Sequence, residues 1–129
     1  MKRSSITRNR NEKMIRNLDF NYDKTNDLLY VYSKKGSVYT NVVVGEFHIE
    51  FSREGEVVGV EVLNASGLLK EYGISKRLLE NITSVALKIV VQGSSLLVFM
   101  IISALNEERT ATITLNNLDS PLMNAVTEA

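Results

Sequence analysis

Residues 46–66, EFHIEFSREGEVVGVEVLNAS, hold the clearest β-hairpin in the chain and run straight into the first helix signal. Phe47, Ile49 and Phe51 alternate with Glu46, His48 and Glu50, the period-two pattern of a half-buried strand. Val58, Val60 and Val62 repeat that pattern on the second arm, against Val57, Gly59 and Glu61. Between the arms lies Ser52-Arg53-Glu54-Gly55, with glycine where a hairpin needs positive φ. A two-residue loop at Glu54-Gly55 pairs Phe51 with Val58, Ile49 with Val60 and Phe47 with Val62. A four-residue loop slides the pairing by two and keeps the phenylalanines on the valine face. A three-residue loop would instead set Phe47 against Glu61 and aim a carboxylate at the core. An even loop is therefore expected. Gly59, without a side chain, reads as a bulge or a place of close approach.

The opposite face of this hairpin carries Glu46, His48, Glu50 and Glu61. Of these, Glu46, His48 and Glu61 have the donor types to ligate a divalent metal. Alternation demands polar residues on a solvated face in any case, and no cysteine or second histidine supports a metal. No cofactor is expected.

Composition sets the remaining bounds. At 129 residues, 44% hydrophobic and 23% charged, the chain suits one globular domain with a real core. Zero cysteines exclude disulfides, thiolate nucleophiles and cysteine-ligated metal sites. Net charge is zero but unevenly placed. Residues 1–17 hold Lys2, Arg3, Arg8, Arg10, Lys13 and Arg16 against Glu12 alone, a net of +5. The other 112 residues hold nine basic and fourteen acidic groups, a net of −5. Residues 1–17 are expected as a flexible basic arm, 18–120 as a single globular domain, and 121–129 as a tail. Arg3, Arg8, Arg10, Lys13 and Arg16 are the candidates for phosphate contact if the arm binds nucleic acid. Met14, just before the regular pattern, is an alternative start. The longest apolar run, Leu96–Ile102, is far short of the roughly 20 residues that span a bilayer. A cytoplasmic, non-membrane protein is expected.

Ahead of the hairpin, Leu18, Phe20 and Tyr22 alternate as one strand, and Leu28, Tyr30 and Tyr32 as another. Asp23-Lys24-Thr25-Asn26-Asp27 joins them as a turn, with Asp23 and Asp27 as caps rather than a catalytic carboxylate pair. Apolar faces agree if Tyr22 pairs with Leu28, Phe20 with Tyr30 and Leu18 with Tyr32. Tyr30 and Tyr32 are expected in the core; on a sheet surface they would stack bases. Ser33–Ser37 is a loop and Val38–Val44 a weakly patterned stretch.

Tyr22, Asp23, Asp27, Leu29, Tyr30, Gly55, Gly59, Glu61, Ala65 and Ser66 together resemble the pattern of the family catalogued as domain of unknown function 2283. The resemblance covers roughly residues 18–70. It implies a small β-rich module with no established activity, in a setting similar to antitoxin-like partners encoded beside another small protein.

Asn64-Ala65-Ser66 supplies a helix N-cap, and Gly73 a stop. Ser75 caps a second short helix over Lys76–Asn81. Strands then return: Val85, Leu87, Ile89 and Val91 alternate, and after the turn Gln92–Ser95 comes LLVFMII, Leu96–Ile102, apolar on both faces. Such a run reads as a central strand covered above and below. A second copy of the chain is the expected cover, with the first hairpins of the same chain as the alternative. A further turn at Asn106-Glu107-Glu108 leads to Thr110, Thr112 and Thr114, which alternate with Ala111, Ile113 and Leu115 as an edge strand. Val98, Met100, Ile102, Thr112 and Thr114 are the candidate interface residues.

No phosphate-cradling glycine loop, zinc-protease motif or nucleophile elbow occurs, and the single histidine, His48, leaves little for acid–base chemistry. The expected fold is α+β, mostly β: an antiparallel, hairpin-rich sheet of about seven strands with one or two short helices in the middle. The expected function is a non-enzymatic interaction module, a homo-oligomer or the binder of one protein partner. Nucleic-acid binding by the arm and a metal-dependent enzyme at Glu46, His48 and Glu61 are the alternatives.

Overall fold

A computed structural model describes residues 11–116 together with Val126. In chain order the elements are β1 (Glu12–Ile15), β2 (Asp19–Asp23), β3 (Leu28–Tyr32), β4 (Thr40–Val44), β5 (Phe47–Phe51) and β6 (Val57–Val62). Then follow α1 (Ala65–Leu69), a 3-10 turn (Lys70–Tyr72), α2 (Lys76–Leu79), β7 (Ile82–Gln92), β8 (Ser95–Ala104) and β9 (Glu107–Leu115). The class is as expected: mostly β, antiparallel, hairpin-rich, with short helices in the middle. The nine strands form two sheets, one of five in the order β2-β3-β6-β5-β4 and one of four in the order β1-β7-β8-β9. The strands beyond the expected seven are β4, whose patterning is weak, and β1, drawn from the arm. β1 pairs with β7, Ile15 opposite Leu87 and Lys13 opposite Ile89, so a buried partner orders a stretch with little strand signal of its own.

The inner faces of the two sheets meet in a single core. Leu29, Val31, Ile49, Phe51, Val60 and Val62 come from the first sheet, and Leu87, Val98, Met100, Ile113 and Leu115 from the second, all buried. The first hairpins of the same chain thus cover the inner side of β8. Ala65, Leu69, Ile74 and Leu79 from the helical segment complete the core. Val126, within the expected tail, is also buried against it; Pro121 and the rest of 121–129 lie outside the described residues. Among the described residues, no helix is long and apolar enough to cross a membrane.

The central hairpin has the expected register over most of its length: Phe47 faces Val62, His48 faces Glu61 and Ile49 faces Val60. Its loop, however, is odd. Ser52 N–H donates to the Glu56 carbonyl at 2.8 Å, leaving Arg53, Glu54 and Gly55 as a three-residue loop, with Gly55 at φ 85°. The sidedness error is cancelled at once. Phe51 faces Val57 while Glu50 faces Gly59, so a one-residue bulge restores the phenylalanine–valine face.

The first hairpin corrects its expected register by one residue. Tyr22 pairs with Leu29, Phe20 with Val31 and Asn21 with Tyr30. Leu29 and Val31 therefore enter the core, and Tyr30 and Tyr32 turn outward. In the second sheet, Leu105 and Asn106, both at positive φ, make the two-residue turn between β8 and β9, one position earlier than expected. Ser75 caps α2 as expected, its hydroxyl accepting from Leu78 N at 3.2 Å.

Candidate functional site

Two polar constellations stand out, and both lie in the five-stranded sheet. The first is at the β2–β3 turn. Asp23 folds back on the turn, accepting from Thr25 N at 3.0 Å, Asn26 N at 3.1 Å and Asn26 Nδ2 at 2.8 Å, which is the capping role expected of it. Asp27 reaches further. Its Oδ1 accepts from the Tyr22 hydroxyl at 2.6 Å and from Ser66 N at 3.0 Å, and its Oδ2 from the Ser66 hydroxyl at 2.8 Å. Its main-chain oxygen accepts from Ala65 N at 2.9 Å. Asp27 thereby caps α1 from 39 residues away, while the expected cap, Asn64, sits at φ 51° with no side-chain capping bond. Burial pushes the Asp27 carboxyl up, but the hydrogen bonds from Tyr22 and Ser66 outweigh it and hold the group below its ordinary value. Tyr22 responds in the opposite sense. Burial first, then its bond to Asp27, raises its hydroxyl to about 12. Both Asp27 oxygens are engaged, and together these contacts fasten the hairpin to the helix.

The second constellation covers the outer face. Tyr30, Glu61 and His48 form one cross-strand row, and Tyr32, Gly59 and Glu50 the next. The Tyr30 and Tyr32 rings stack at 4.7 Å between centroids, 18° from parallel. The Tyr30 hydroxyl crosses β6 to donate to Glu50 Oε1 at 2.6 Å. Gly59 is what lets it pass: a Cβ there would collide with the Glu50 carboxylate and press on the Tyr30 ring. The close approach expected at Gly59 is therefore made by side chains. Burial, followed by the bond to Glu50, raises the Tyr30 hydroxyl to about 12. His48 Nδ1 lies 4.0 Å from Glu61 Oε1, each roughly one-third exposed. No group of three or more acidic or histidine side chains among the described residues is arranged to hold a metal, so Glu46 does not join His48 and Glu61 in a ligand shell.

The remaining candidate residues separate by strand parity. Val98, Met100 and Ile102 point inward and are buried by the protomer itself, which removes them from any interface. Their neighbours Leu97, Phe99 and Ile101 take the outer face and stay partly open. Thr112 and Thr114 lie on that same outer face, on edge strand β9. The Tyr72 hydroxyl donates to the Thr112 carbonyl at 3.1 Å, blunting the edge. Of the arm residues, Lys13 is on β1 and pairs with Glu56 at 2.6 Å, and Arg16 is exposed just after that strand. Arg3, Arg8 and Arg10 lie outside the described residues. Neither spacing nor periodicity pointed to the Asp27–Ser66 contact, and periodicity favoured Tyr30 in the core over the outer face where it stands.

No solved structure matches this chain. An uncharacterised protein of Methanocaldococcus jannaschii is 36% identical over 61 residues, which are 46% of this chain and 53% of that protein. The match thus spans about half the length of that relative. Residues 19–66, from β2 to the first turn of α1, match the family described as "Protein of unknown function (DUF2283)", the one resembled by the pattern of Tyr22, Asp27, Gly59 and Ser66.

Proposed function

We propose that this protein is a non-enzymatic interaction module that self-associates through the outer face of its four-stranded sheet. The observation that carries this reading is the row Leu97, Phe99 and Ile101, apolar and partly open along the middle of that face. Ala86 and Val90 extend it onto β7, where Lys88 stands between them opposite Phe99, its ammonium 5.9 Å from that ring centroid and 3.6 Å from Glu12. Met14, 41% exposed, lies beyond Lys88 on β1. Thr112 and Thr114 flank it with short hydroxyl side chains that pack without holding a large hydration shell. Leu97, Phe99, Ile101, Ala86 and Val90 lie together on two neighbouring strands ~4.8 Å apart with polar side chains at their rim, the arrangement by which an apolar patch marks an interaction surface. A second copy placed on this face by a two-fold axis buries it against its own kind. The Asp23 and Asp27 cluster supports a structural rather than a chemical role, since both residues already spend both oxygens on hydrogen bonds within the fold.

Sedimentation equilibrium of the native protein at micromolar concentration tests the proposal. A dimer is expected, and Phe99→Lys is expected to yield a folded monomer with unchanged circular dichroism. A native protein that is monomeric throughout that range overturns the reading.

A further inference from the structure

The outer face of the five-stranded sheet differs in kind from the face just described. Its centre is the stacked pair Tyr30 and Tyr32, with Glu61 beside Tyr30 in one row and Glu50 beyond Gly59 in the other. Asp19, opposite Tyr32, adds a third carboxylate; Lys34 lies 3.7 Å from it and is largely exposed. Half-exposed aromatic rings on a sheet surface suit planar ligands, and two ligand classes have the necessary planes: nucleobases and guanidinium groups. Charge decides between them. A strand of nucleic acid laid across these tyrosines would bring its phosphates over Glu50, Glu61 and Asp19, where like charge repels it. A guanidinium meets the opposite situation. Its plane lies on a tyrosine ring while its N–H groups reach a carboxylate in the adjacent row. The protein already makes one such contact elsewhere, with the Arg53 guanidinium 4.5 Å from the Tyr39 ring centroid.

We infer that the face formed by Tyr30, Tyr32, Glu50 and Glu61 binds an arginine-bearing polypeptide segment. Tyr30 and Glu61 stand on neighbouring strands ~4.8 Å apart, and Glu50 lies one strand further from Tyr32, across Gly59, spans that one arginine side chain bridges. Gly59 leaves room for the Glu50 carboxylate and the Tyr30 ring to meet above it, which fixes that acceptor beside the tyrosine pair rather than leaving it free to swing away. Arginine is favoured over lysine because the compact ammonium cannot stack and pair at once. This face is on the other sheet from the self-association surface, and the inference stands or falls separately from it.

A fluorescently labelled hexa-arginine peptide, titrated at low salt and followed by anisotropy, is the probe. Saturable binding is expected, weaker for hexa-lysine and absent for a single-stranded oligonucleotide. Tyr32→Ala and Glu61→Gln should each weaken it by about tenfold. Tyr32→Phe, which keeps the ring, should bind as the native protein does. Glu71→Gln, an exposed acid in the 3-10 turn, controls for overall charge. On the unaltered protein, amide shifts induced by the peptide should centre on Gly59 and Glu61. The inference is overturned by no binding, by shifts centred on β8, by equal losses from Glu71→Gln and Glu61→Gln, or by preferential binding of the oligonucleotide.

Discussion

The two sheets share one construction on the inside and part company on the outside. Inward, both present alternating aliphatics, Val60 and Ile49 on one side meeting Val98 and Met100 on the other. Outward, the five-stranded sheet carries tyrosines and carboxylates, whereas the four-stranded sheet carries Leu97, Phe99, Ile101 and threonines, with the Lys88–Glu12 pair beside Phe99. Inner side chains of a β-strand answer to packing; outer ones are free to answer to a ligand, a partner or water. The contrast between the outer faces is therefore where the functional reading comes from, and the common inner faces say only how the chain folds.

The largest test of that division sets adjacent residues of β8 against each other. Met100→Ala, inside, should lower stability by about 3 kcal/mol, the usual cost of a cavity at a buried methionine. Phe99→Ala, outside, should cost about 1 kcal/mol and act mainly on association. Urea denaturation of both variants gives the numbers, and equal losses would erase the distinction between faces. Next comes the fastening of the five-stranded sheet. Asp27→Ala strands the donors of Tyr22 and Ser66 and should cost about 2 kcal/mol. Because the Asp27 carboxyl is held below its ordinary 3.8, its contribution is complete above that pH and disappears as the pH falls through the folded-state value. The acid limb of the native protein should accordingly be steeper than that of Asp27→Ala.

Smaller effects refine the outer tyrosine face. Gly59→Ala must displace the Glu50 carboxylate from the Tyr30 hydroxyl, at about 1 kcal/mol. Tyr22 and Tyr30, raised from 10.0 to about 12, favour the native state fully below pH 10 and lose that contribution as the pH climbs toward 12. Ultraviolet titration should find both still protonated at about pH 11, and Tyr30→Phe should remove one late step. The smallest effect belongs to the exposed Lys13–Glu56 pair, where Lys13→Ala should change stability by less than about 0.5 kcal/mol.

How much of this was legible in advance depended on contrast between alternate residues. In FHIEF the polar positions are unmistakable, and the pairing of Phe47 with Val62 follows from them. In LLYVY every residue is apolar or aromatic, so parity alone could not say whether Leu28 or Leu29 faces inward, and the register came out one residue away. The same loss of contrast in LLVFMII exchanged the inner set, Val98, Met100 and Ile102, for the outer one. Both misreadings bear directly on the candidate sites, because each moves a whole row of side chains across a sheet. Asp27 and Ser66 posed a different difficulty. A contact spanning 39 residues leaves no local periodicity, and only the family resemblance put the two residues in one pattern.

The odd loop and the bulge of the central hairpin have a consequence for how this protein tolerates change in length. Each irregularity is one extra residue absorbed where it lies, the loop inside the Ser52–Glu56 closure and the bulge between the Phe51–Val57 and Glu50–Gly59 pairs. Removing Glu54 should leave a two-residue loop closed by the same pair, and removing Val58 should let the two flanking pairs follow one another without a break. Either deletion keeps Glu61 opposite His48 on the outer face. Single-residue changes in length at these two places therefore leave the core side of the hairpin where it was.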